Sequence, residues 1–453
     1  MILIVVEALA LFAAVAGTIF AWGHPLTLDS RGVMTVLGQA AALSLSCIVA
    51  FYYNDLYDLR IVRSFSEFGS RLLQSFGVAL ILLAGFYTLF PNTRIAGGRF
   101  ASSLLMIVGV LLPLRAIGYA IMRWRAFADR VLILGTGKLA RTLIPEIETR
   151  PHHRYTIIGV VDEGGSQEGP PFRYPLLGPL EHLDKIIEEI TPDRIIVALA
   201  ERRGRMPMRQ LLNAEAHGIL VEDGLTTYEN FTGKLAIEAL TPSFLIFSGA
   251  FRKSRLLLAV RRLISLGAAA VGLVLTAPLM VLVALATKLD SPGPVFFIDE
   301  RAGRGGQPFR LIKFRTMREQ TSDSEAEEYS VWSRDDRDRV TRVGRWIRKF
   351  RLDELPQFWN ILRGDMDLVG PRPEIMRNVK TMTEQIPYYS LRHVVRPGLT
   401  GWAQVRYGYS VSLEQVTEKM RHDLFYIKHM SLWLDLRIIA DTVKIGLFGR
   451  GAQ

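Results

Sequence analysis

The chain has 453 residues, 49% of them hydrophobic, with a formal net charge of +11 and a mean hydropathy of +0.20. This composition excludes an average soluble enzyme, because the apolar residues are concentrated in long blocks. The basic excess suits acidic lipid headgroups and phosphorylated substrates as well as nucleic acid. Cys47 is the single cysteine, which excludes an intrachain disulfide and a cysteine-held zinc or iron–sulfur centre.

Four apolar blocks come first, each about the ~20 residues that cross a bilayer as a helix. The links on one side of the bundle carry more arginine, which favours a cytoplasmic position for both of its ends. The first block lacks a basic leading region and a cleavage site, so we interpret it as a retained span. Buried helices of a soluble protein are the alternative. The blocks are Ile2–Trp22, Val33–Tyr53, Leu72–Phe90 and Phe100–Met122, and they predict a four-helix transmembrane bundle over residues 1–124.

A glycine turn after the bundle is typical of a dinucleotide-binding fold. An apolar strand enters a turn that contains Gly135 and Gly137, and a second strand ends at Asp162, roughly 20 residues further on. Helices and strands then alternate, which predicts a small doubly wound parallel sheet. The possible nucleotide fingerprint is this one short turn, and a nucleotide-free structural domain explains it equally well. The next predicted elements are a helix over Leu183–Ile190 and a strand over Arg194–Ala200.

A fifth apolar block, Leu263–Leu289, carries Pro278 near its middle, where proline removes a hydrogen bond and kinks a helix. By length, the block could be a further full span that delivers the rest of the chain to the far side of the membrane. Basic residues flank both of its ends, which favours a cytoplasmic position for both. A broken helix that enters and returns on one face agrees with both observations.

Basic residues collect beyond this block. Alternating residues would place Lys313 and Arg315 on one face of a strand, although a solvated basic edge strand has the same pattern. A segment with helical spacing follows and includes Arg348. This helix could lie on a membrane with Trp346 and Phe350 toward lipid, or it could pack on a core with a charged outer face.

Two adjacent carboxylates, Asp353 and Glu354, follow directly, and Arg372 lies further on between two prolines. Carboxylates act as nucleophiles or magnesium ligands, and guanidinium groups bind phosphate in a two-pronged geometry. Adjacent helical side chains diverge by roughly 100°, so the pair cannot face each other across one substrate. We therefore predict separate tasks: one carboxylate attacks or binds metal, and the other orients a group or moves a proton.

Five runs in this region resemble the bacterial polyprenyl-phosphate phosphoglycosyl transferases, the monotopic sugar transferase family of exopolysaccharide biosynthesis. The whole layout is similar to the large form of that family, nearest the branch associated with the PEP-CTERM and exosortase system. That form has four spans, a Rossmann-like regulatory domain and an α/β catalytic domain with a re-entrant membrane helix. The matching runs are Ser291–Phe297, Lys313–Met317, Leu352–Gln357, Val369–Glu374 and Arg396–Gln404.

The resemblance implies a reaction in which Asp353 attacks the β-phosphate of a UDP-sugar. UMP leaves, a covalent phosphosugar intermediate forms, and polyprenyl (undecaprenyl) phosphate then takes the phosphosugar, which begins exopolysaccharide assembly. Glu354 matches the second member of the dyad, and Mg²⁺ is expected at both carboxylates. The re-entrant helix falls on residues 263–289 with Pro278 as its break. Phosphate contacts are expected from Lys313, Arg315, Arg348, Arg351 and Arg372.

The resemblance also implies domain bounds and a location. The Rossmann-like regulatory domain covers residues 130–241, and the transferase domain covers residues 255–450. Because UDP-sugars are cytoplasmic, the expectation is a multi-pass protein of the bacterial inner membrane with its catalytic domain on the cytoplasmic face. Expected partners are a UDP-sugar, polyprenyl phosphate, membrane lipids and a second copy in a homodimer, with no nucleic acid. The transferred sugar cannot be read from these residues.

Two other functions would explain part of the sequence. A membrane-anchored nucleotide-sugar dehydratase or epimerase also joins spans to a dinucleotide-binding unit, but that chemistry usually needs a Tyr-x-x-x-Lys pair. None of the 14 tyrosines has a lysine four residues further on. A non-enzymatic assembly scaffold would explain the spans, but it leaves the adjacent carboxylates and the arginines without a task.

Overall fold

Four long apolar helices begin the chain in the computed structural model. They are amphipathic only weakly, since lipid and a neighbouring helix are both apolar surroundings. Buried residues such as Leu11, Leu43 and Leu111 form their common core. The helices are α1 (Ile2–Trp22), α2 (Ser30–Tyr53), α3 (Phe65–Leu89) and α4 (Gly97–Arg123). The structure describes residues 2–22, 30–54, 56–57, 65–95, 97–123, 129–149, 155–164, 172–199, 205–237, 240, 252–318, 339–407 and 412–448.

These helices match the four predicted apolar blocks. Leucines such as Leu73 and Leu105 are exposed on their outer faces, as lipid contact requires. Within the bundle, the Arg115 guanidinium forms an ion pair with Glu7, at 2.6 Å between Nε and Oε1. Both side chains are buried, so each charge depends on the other. By length and hydropathy, the candidate membrane spans among the described residues are Gly32–Tyr53, Arg71–Leu89, Gly97–Ala116 and Arg255–Asp290, with a shorter apolar segment over Val6–Ala21.

A five-stranded sheet opens the second unit of the chain, and its strand order is β3-β2-β1-β4-β5. The pairings of β1 with β4, β2 with β3 and β4 with β5 are parallel. This order confirms the predicted parallel α/β sheet, because crossover helices place β1 at the centre. The strands are β1 (Asp129–Leu134), β2 (Tyr155–Asp162), β3 (Leu176–Pro179), β4 (Arg194–Val197) and β5 (Leu220–Asp223). The helices are α5 (Lys138–Glu148), α6 (Leu183–Ile190), α7 (Met208–Ala216) and α8 (Gly224–Thr232).

The remaining elements build a second α/β region around one long helix, α9 (Arg255–Asp290). The predicted extended segments form an antiparallel hairpin of β6 and β7. Two short strands, β8 and β9, pair in parallel. The elements are β6 (Phe296–Ala302), β7 (Pro308–Phe314), α10 (Arg342–Lys349), α11 (Gln357–Arg363), β8 (Asp367–Val369), α12 (Met376–Gln385), β9 (Gly398–Thr400), α13 (Trp402–Arg406), α14 (Leu413–His429) and α15 (Leu432–Phe448).

Helix α9 packs against this region along most of its length. Near its start, Arg261 donates to the Val369 carbonyl at 3.0 Å and pairs with Asp435 at 2.5 Å. At its other end, the Asp290 carboxylate accepts from the backbone N–H of Val343 at 3.0 Å. The helix continues through Pro278 as one unbroken element. Return of this helix to the same membrane face therefore stays a prediction.

The sheet domain is joined to α14 by a buried carboxylate. Glu229, on α8, accepts from Lys428 at 2.7 Å and contacts His429 at 2.9 Å. Nearby, the Trp402 indole N–H donates to the Gly233 carbonyl at 2.8 Å. A buried carboxylate needs such partners, because an unpaired charge in this position would cost several kcal/mol. These contacts connect the glycine-turn domain to the region of the adjacent carboxylates.

Candidate functional site

Asp353 and Glu354 lie on a single 3-10 turn, Leu352–Glu354, which we call the dyad turn. Helix α10 ends just before it, and Arg351 then adopts a left-handed backbone conformation with φ of +52°. That conformation costs a non-glycine residue about 1–2 kcal/mol. It reverses the chain direction, so the two carboxylates do not continue the helix. Backbone strain of this kind is common at functional sites.

Glu354 is the buried member of the pair. It is 8% exposed, and its Oε1 accepts a hydrogen bond from Arg372 Nη2 at 2.8 Å. Arg351 lies 3.8 Å from the same oxygen. Burial alone would raise the pKa of Glu354, but the cationic side chains of Arg372, Lys313 and Arg351 outweigh it and lower this pKa below its usual value. Glu354 is therefore an ionised carboxylate that holds Arg372.

Asp353 is the half-buried member, and no hydrogen bond or ion pair engages it among the residues that the structure describes. Burial raises the pKa of Asp353, and the negative charge of Glu354 raises it further. Lys313, Arg372 and Arg348 are close enough to oppose this shift. A carboxylate without a partner, but surrounded by cations, is available to a ligand and is more basic than an exposed aspartate.

The loop that carries Arg372 is fixed by its backbone. Gly370 donates to the Thr400 carbonyl and Gly398 donates to the Pro371 carbonyl, each at 2.9 Å. The two loops approach so closely that a Cβ on Gly398 would lie 2.0 Å from the Gly370 nitrogen. Only glycine fits such an approach. The glycines of two of the matching runs therefore place Arg372 at the dyad.

A buried ion pair supports this loop from behind. Arg392 donates through Nη2 to the Arg372 carbonyl at 3.0 Å and to Asp423 at 2.9 Å. Both Arg392 and Asp423 are almost fully buried. Sequence reasoning missed them. The available signal was Asp423, which stands near the apolar residues Met420 and Leu424 on α14. An acidic residue at an apolar helix position implies a buried partner.

The structure brings four of the five predicted phosphate-binding residues to the dyad: Lys313, Arg348, Arg351 and Arg372. It does not bring Arg315. The Arg315 guanidinium is buried and donates to the Pro292 carbonyl at 2.7 Å and the Ser291 carbonyl at 2.8 Å. The backbone N–H of Arg315 still donates to the Val295 carbonyl at 2.9 Å, beyond the last residue of β7, but the loop carbonyls rather than the dyad bind its guanidinium. Arg315 holds the loop before β6.

The glycine turn of the sheet domain has a structural explanation. Gly135 has a φ of +114°, and a Cβ there would lie 2.6 Å from the Ala198 carbonyl oxygen. The Asp162 carboxylate accepts from the Thr136 hydroxyl at 3.1 Å and from the Gly164 N–H at 3.2 Å. Close packing alone therefore requires glycine at position 135, and Asp162 is already hydrogen-bonded. Nucleotide binding at Gly135, Gly137 and Asp162 stays a prediction.

The dyad fits a divalent cation only together with a substrate. No cluster of three or more His, Cys, Asp or Glu side chains suited to a metal occurs within the described ranges. Mg²⁺ commonly uses one or two carboxylates and completes its shell with water and substrate phosphates. The Asp353 carboxylate, which no group among the described residues binds, and the second oxygen of Glu354 could therefore serve a Mg²⁺ ion whose other ligands are water and substrate.

Comparison with known proteins adds two family matches. The sequence pattern of the bacterial sugar transferase family matches residues 256–449, which contain the dyad turn and every residue around it. The pattern of a CoA-binding domain family matches residues 52–214, which contain the glycine turn. The first match covers the region from α9 to α15.

Three relatives are similar to this chain over different shares of its length. A UDP-N-acetylgalactosamine-undecaprenyl-phosphate N-acetylgalactosaminephosphotransferase of Aeromonas hydrophila is 43% identical over 225 residues, 50% of this chain and 52% of the relative. An undecaprenyl-phosphate glucose phosphotransferase of Komagataeibacter xylinus is 34% identical over 77% of this chain and 65% of its own length. A UDP-glucose:undecaprenyl-phosphate glucose-1-phosphate transferase of Caulobacter vibrioides is 45% identical over 40% of this chain and 68% of its own. The alignments thus span from about half to two-thirds of these relatives.

Proposed function

The chain belongs to the bacterial sugar transferase family, and on this premise we propose that it transfers a phosphosugar from a UDP-sugar to polyprenyl phosphate. The observation that carries the proposal is the asymmetry of the dyad. Glu354 is ionised and bound to Arg372, whereas no group among the described residues binds Asp353, and the pKa of Asp353 is raised. Relatives named for glucose and N-acetylgalactosamine phosphotransfer to undecaprenyl phosphate support the same chemistry.

In the proposed first step, a carboxylate oxygen of Asp353 attacks the β-phosphorus of the UDP-sugar. The bond between that phosphorus and the oxygen bridging to the α-phosphate breaks, and UMP leaves with the electron pair. Lys313, Arg348 and Arg351 face the negative charge that develops on the phosphoryl oxygens. Arg372, oriented by Glu354, can bind two oxygens at once. The product is an acyl phosphate between Asp353 and the sugar phosphate.

In the second step, an oxygen of polyprenyl phosphate attacks the same phosphorus. The acyl–phosphate bond breaks and returns the Asp353 carboxylate, so atoms and charge balance over the two steps. Asp353 and Glu354 would hold Mg²⁺, which supplies charge neutralisation between carboxylate and diphosphate. The dyad does not need to act as a facing acid–base pair, in agreement with the adjacent positions of its members.

Helix α9 supports a cytoplasmic, same-face topology. A helix of 36 residues extends about 54 Å at 1.5 Å per residue, so its length alone allows a full span, and the contacts of its two ends decide between the topologies. Arg262, near its start, donates to the Met366 carbonyl at 2.8 Å, and Asp290, at its end, caps α10. Since both ends contact the same α/β region, we propose that α9 enters and leaves on the cytoplasmic face of the inner membrane, with Pro278 at the bend.

The proposal predicts the leaving nucleotide. Purified protein with Mg²⁺, polyprenyl phosphate and a panel of UDP-glucose, UDP-galactose and UDP-N-acetylgalactosamine should release UMP with one or more donors and form a diphosphate-linked lipid. Chromatography of the nucleotides measures this directly. Release of UDP would indicate glycosyl transfer and contradict the proposal, as would no nucleotide release with any donor.

The pKa values predict a bell-shaped pH profile. Burial and the neighbouring guanidinium groups lower the pKa of Lys313 to about 8, so Lys313 loses its charge as the pH rises through that value. Protonation of Asp353 removes the nucleophile as the pH falls through its raised pKa. We expect kcat/KM for UMP release to fall on both sides. In Lys313→Arg the alkaline limb should disappear, because arginine stays protonated, while the acidic limb stays. An unchanged alkaline limb would show that Lys313 is not the group that titrates.

A further inference from the structure

An apolar cavity of about 290 Å³ opens beside the dyad turn. Its size is close to the lower end of ligand pockets, roughly 300 Å³. Glu354 and Arg351 lie at its polar end, and α15 forms the opposite wall. The other lining residues are Leu355, Phe358, Leu368, Leu399, Thr400, Gln404, Val405, Ile439, Thr442, Val443, Ile445 and Gly446.

The walls favour an aliphatic ligand. Most of the lining side chains are leucine, isoleucine or valine, and the Thr400 and Thr442 hydroxyls hydrogen-bond to each other at 2.5 Å. Gln404 donates to the Leu399 carbonyl at 3.3 Å, and its buried Oε1 is unpartnered within the described part of the chain. A nucleoside base would need more hydrogen-bonding groups than these walls offer.

The cavity reaches the helix that we propose to lie in the membrane. Phe358, one of its walls, packs so closely on α9 that a Cβ at Gly272 would lie 2.8 Å from the Phe358 ring. Leucines and valines such as Val271 and Leu275 are exposed beside this contact. Val443 and Gly446, at the other rim, are exposed as well. An apolar chain could therefore pass from lipid into the cavity without crossing water.

We propose that this cavity binds the first isoprene units of the polyprenyl phosphate, with the lipid phosphate at Arg351 beside the dyad. This inference rests on the proposed function and assigns the acceptor a site of its own. The arrangement of charge supports it, since Arg351 and Glu354 are the only charged residues of the lining that the structure describes and both belong to the end beside the dyad, where Arg351 can meet a phosphate. The cavity holds only a short part of such a chain, so the remainder stays in the bilayer.

The kinetic test uses tryptophans that fill the cavity from α15. Ile439→Trp and Val443→Trp add bulk at the lining, and Leu436→Trp is the matched control on the same helix, at an exposed position outside the lining. In the wild-type protein, KM for isoprenyl phosphates should fall by at least about tenfold with each added isoprene unit until the cavity is full, because each unit buries five apolar carbons. The filled variants should lose this dependence, with KM for the UDP-sugar and the single-turnover UMP release unchanged. The Leu436→Trp control should keep the chain-length dependence of KM.

Two kinetic results would overturn the inference. One is an unaltered chain-length dependence in both filled variants. The other is a raised KM for the UDP-sugar alone, which would indicate a nucleoside in the cavity. Stability is checked by thermal unfolding, because a variant that fails to fold would lose both half-reactions together.

A binding test does not need activity. A short isoprenyl phosphate with a photoreactive chain should cross-link to peptides that contain Leu399 or Ile439, and excess polyprenyl phosphate should compete better than phosphatidic acid. Cross-links confined to the exposed outer face of α9, or equal competition by phosphatidic acid, would contradict an isoprenoid site. If the wild-type protein transfers no phosphosugar, the proposed function fails, and the cross-linking still decides the cavity's occupant.

Discussion

Asp353→Asn should abolish UMP release, by at least about 10³-fold, because an amide cannot replace the carboxylate nucleophile. The loss should appear in kcat with the lipid acceptor present and in the single-turnover release of UMP without it. Since no protein group among the described residues binds Asp353, the fold should tolerate the change. The substitution also removes the repulsion from Glu354 that raises the pKa of Asp353. Thermal unfolding should therefore show unchanged or slightly higher stability.

Asp365→Asn is a matched control for this prediction. Asp365 lies on the same stretch of chain, and its carboxylate accepts from Asn360 at 3.1 Å, a bond that the asparagine oxygen can keep. The activity of the Asp365→Asn variant should stay close to that of the wild-type protein. Substantial turnover by Asp353→Asn would assign the nucleophile to another group, Glu354 or the lipid phosphate itself.

Arg372→Lys should lower kcat/KM for the UDP-sugar about 10²–10³-fold, although the charge is kept. Lysine presents a point charge, whereas the planar guanidinium that binds Glu354 through Nη2 can present two donors in parallel to a phosphate. The variant should also reveal coupling. Because both residues act on the same interaction, the effects of Arg372→Lys and Glu354→Gln should be less than additive in a double-mutant cycle.

Arg363→Lys is the control for the arginine series. Arg363 is exposed and pairs only loosely with Asp365, at 3.7 Å. The activity of the Arg363→Lys variant should therefore equal that of the wild-type protein. If Arg372→Lys retained activity within a few-fold of the wild-type protein, the two-pronged phosphate contact would be refuted. If the two substitutions were additive, Glu354 would act independently of Arg372.

Local patterns predicted much of the architecture. Apolar runs and glycine spacing predicted the N-terminal helices and the parallel sheet, because those elements follow from hydrophobic periodicity. The separate tasks that adjacency predicted for Asp353 and Glu354 stay a prediction. Their surroundings do differ, since Glu354 binds Arg372 and no group among the described residues binds Asp353.

The remaining features depend on contacts between distant parts of the chain. Alternation predicted that Arg315 would share a face with Lys313, but the Ser291 and Pro292 carbonyls, in the loop before β6, bind its guanidinium. The Arg392–Asp423 pair and the cavity between α11 and α15 join residues that are far apart in sequence. Periodicity within one element carries no information about such partners.

The most direct test of the account is mass spectrometry of the protein after incubation with its UDP-sugar and Mg²⁺ but no lipid. We predict one sugar-phosphate adduct per chain, mapped to Asp353, with an equal amount of UMP released. Addition of polyprenyl phosphate should remove the adduct, and Asp353→Asn should never form it. UMP release that requires the lipid, with no adduct at any time in the wild-type protein, would contradict the covalent mechanism.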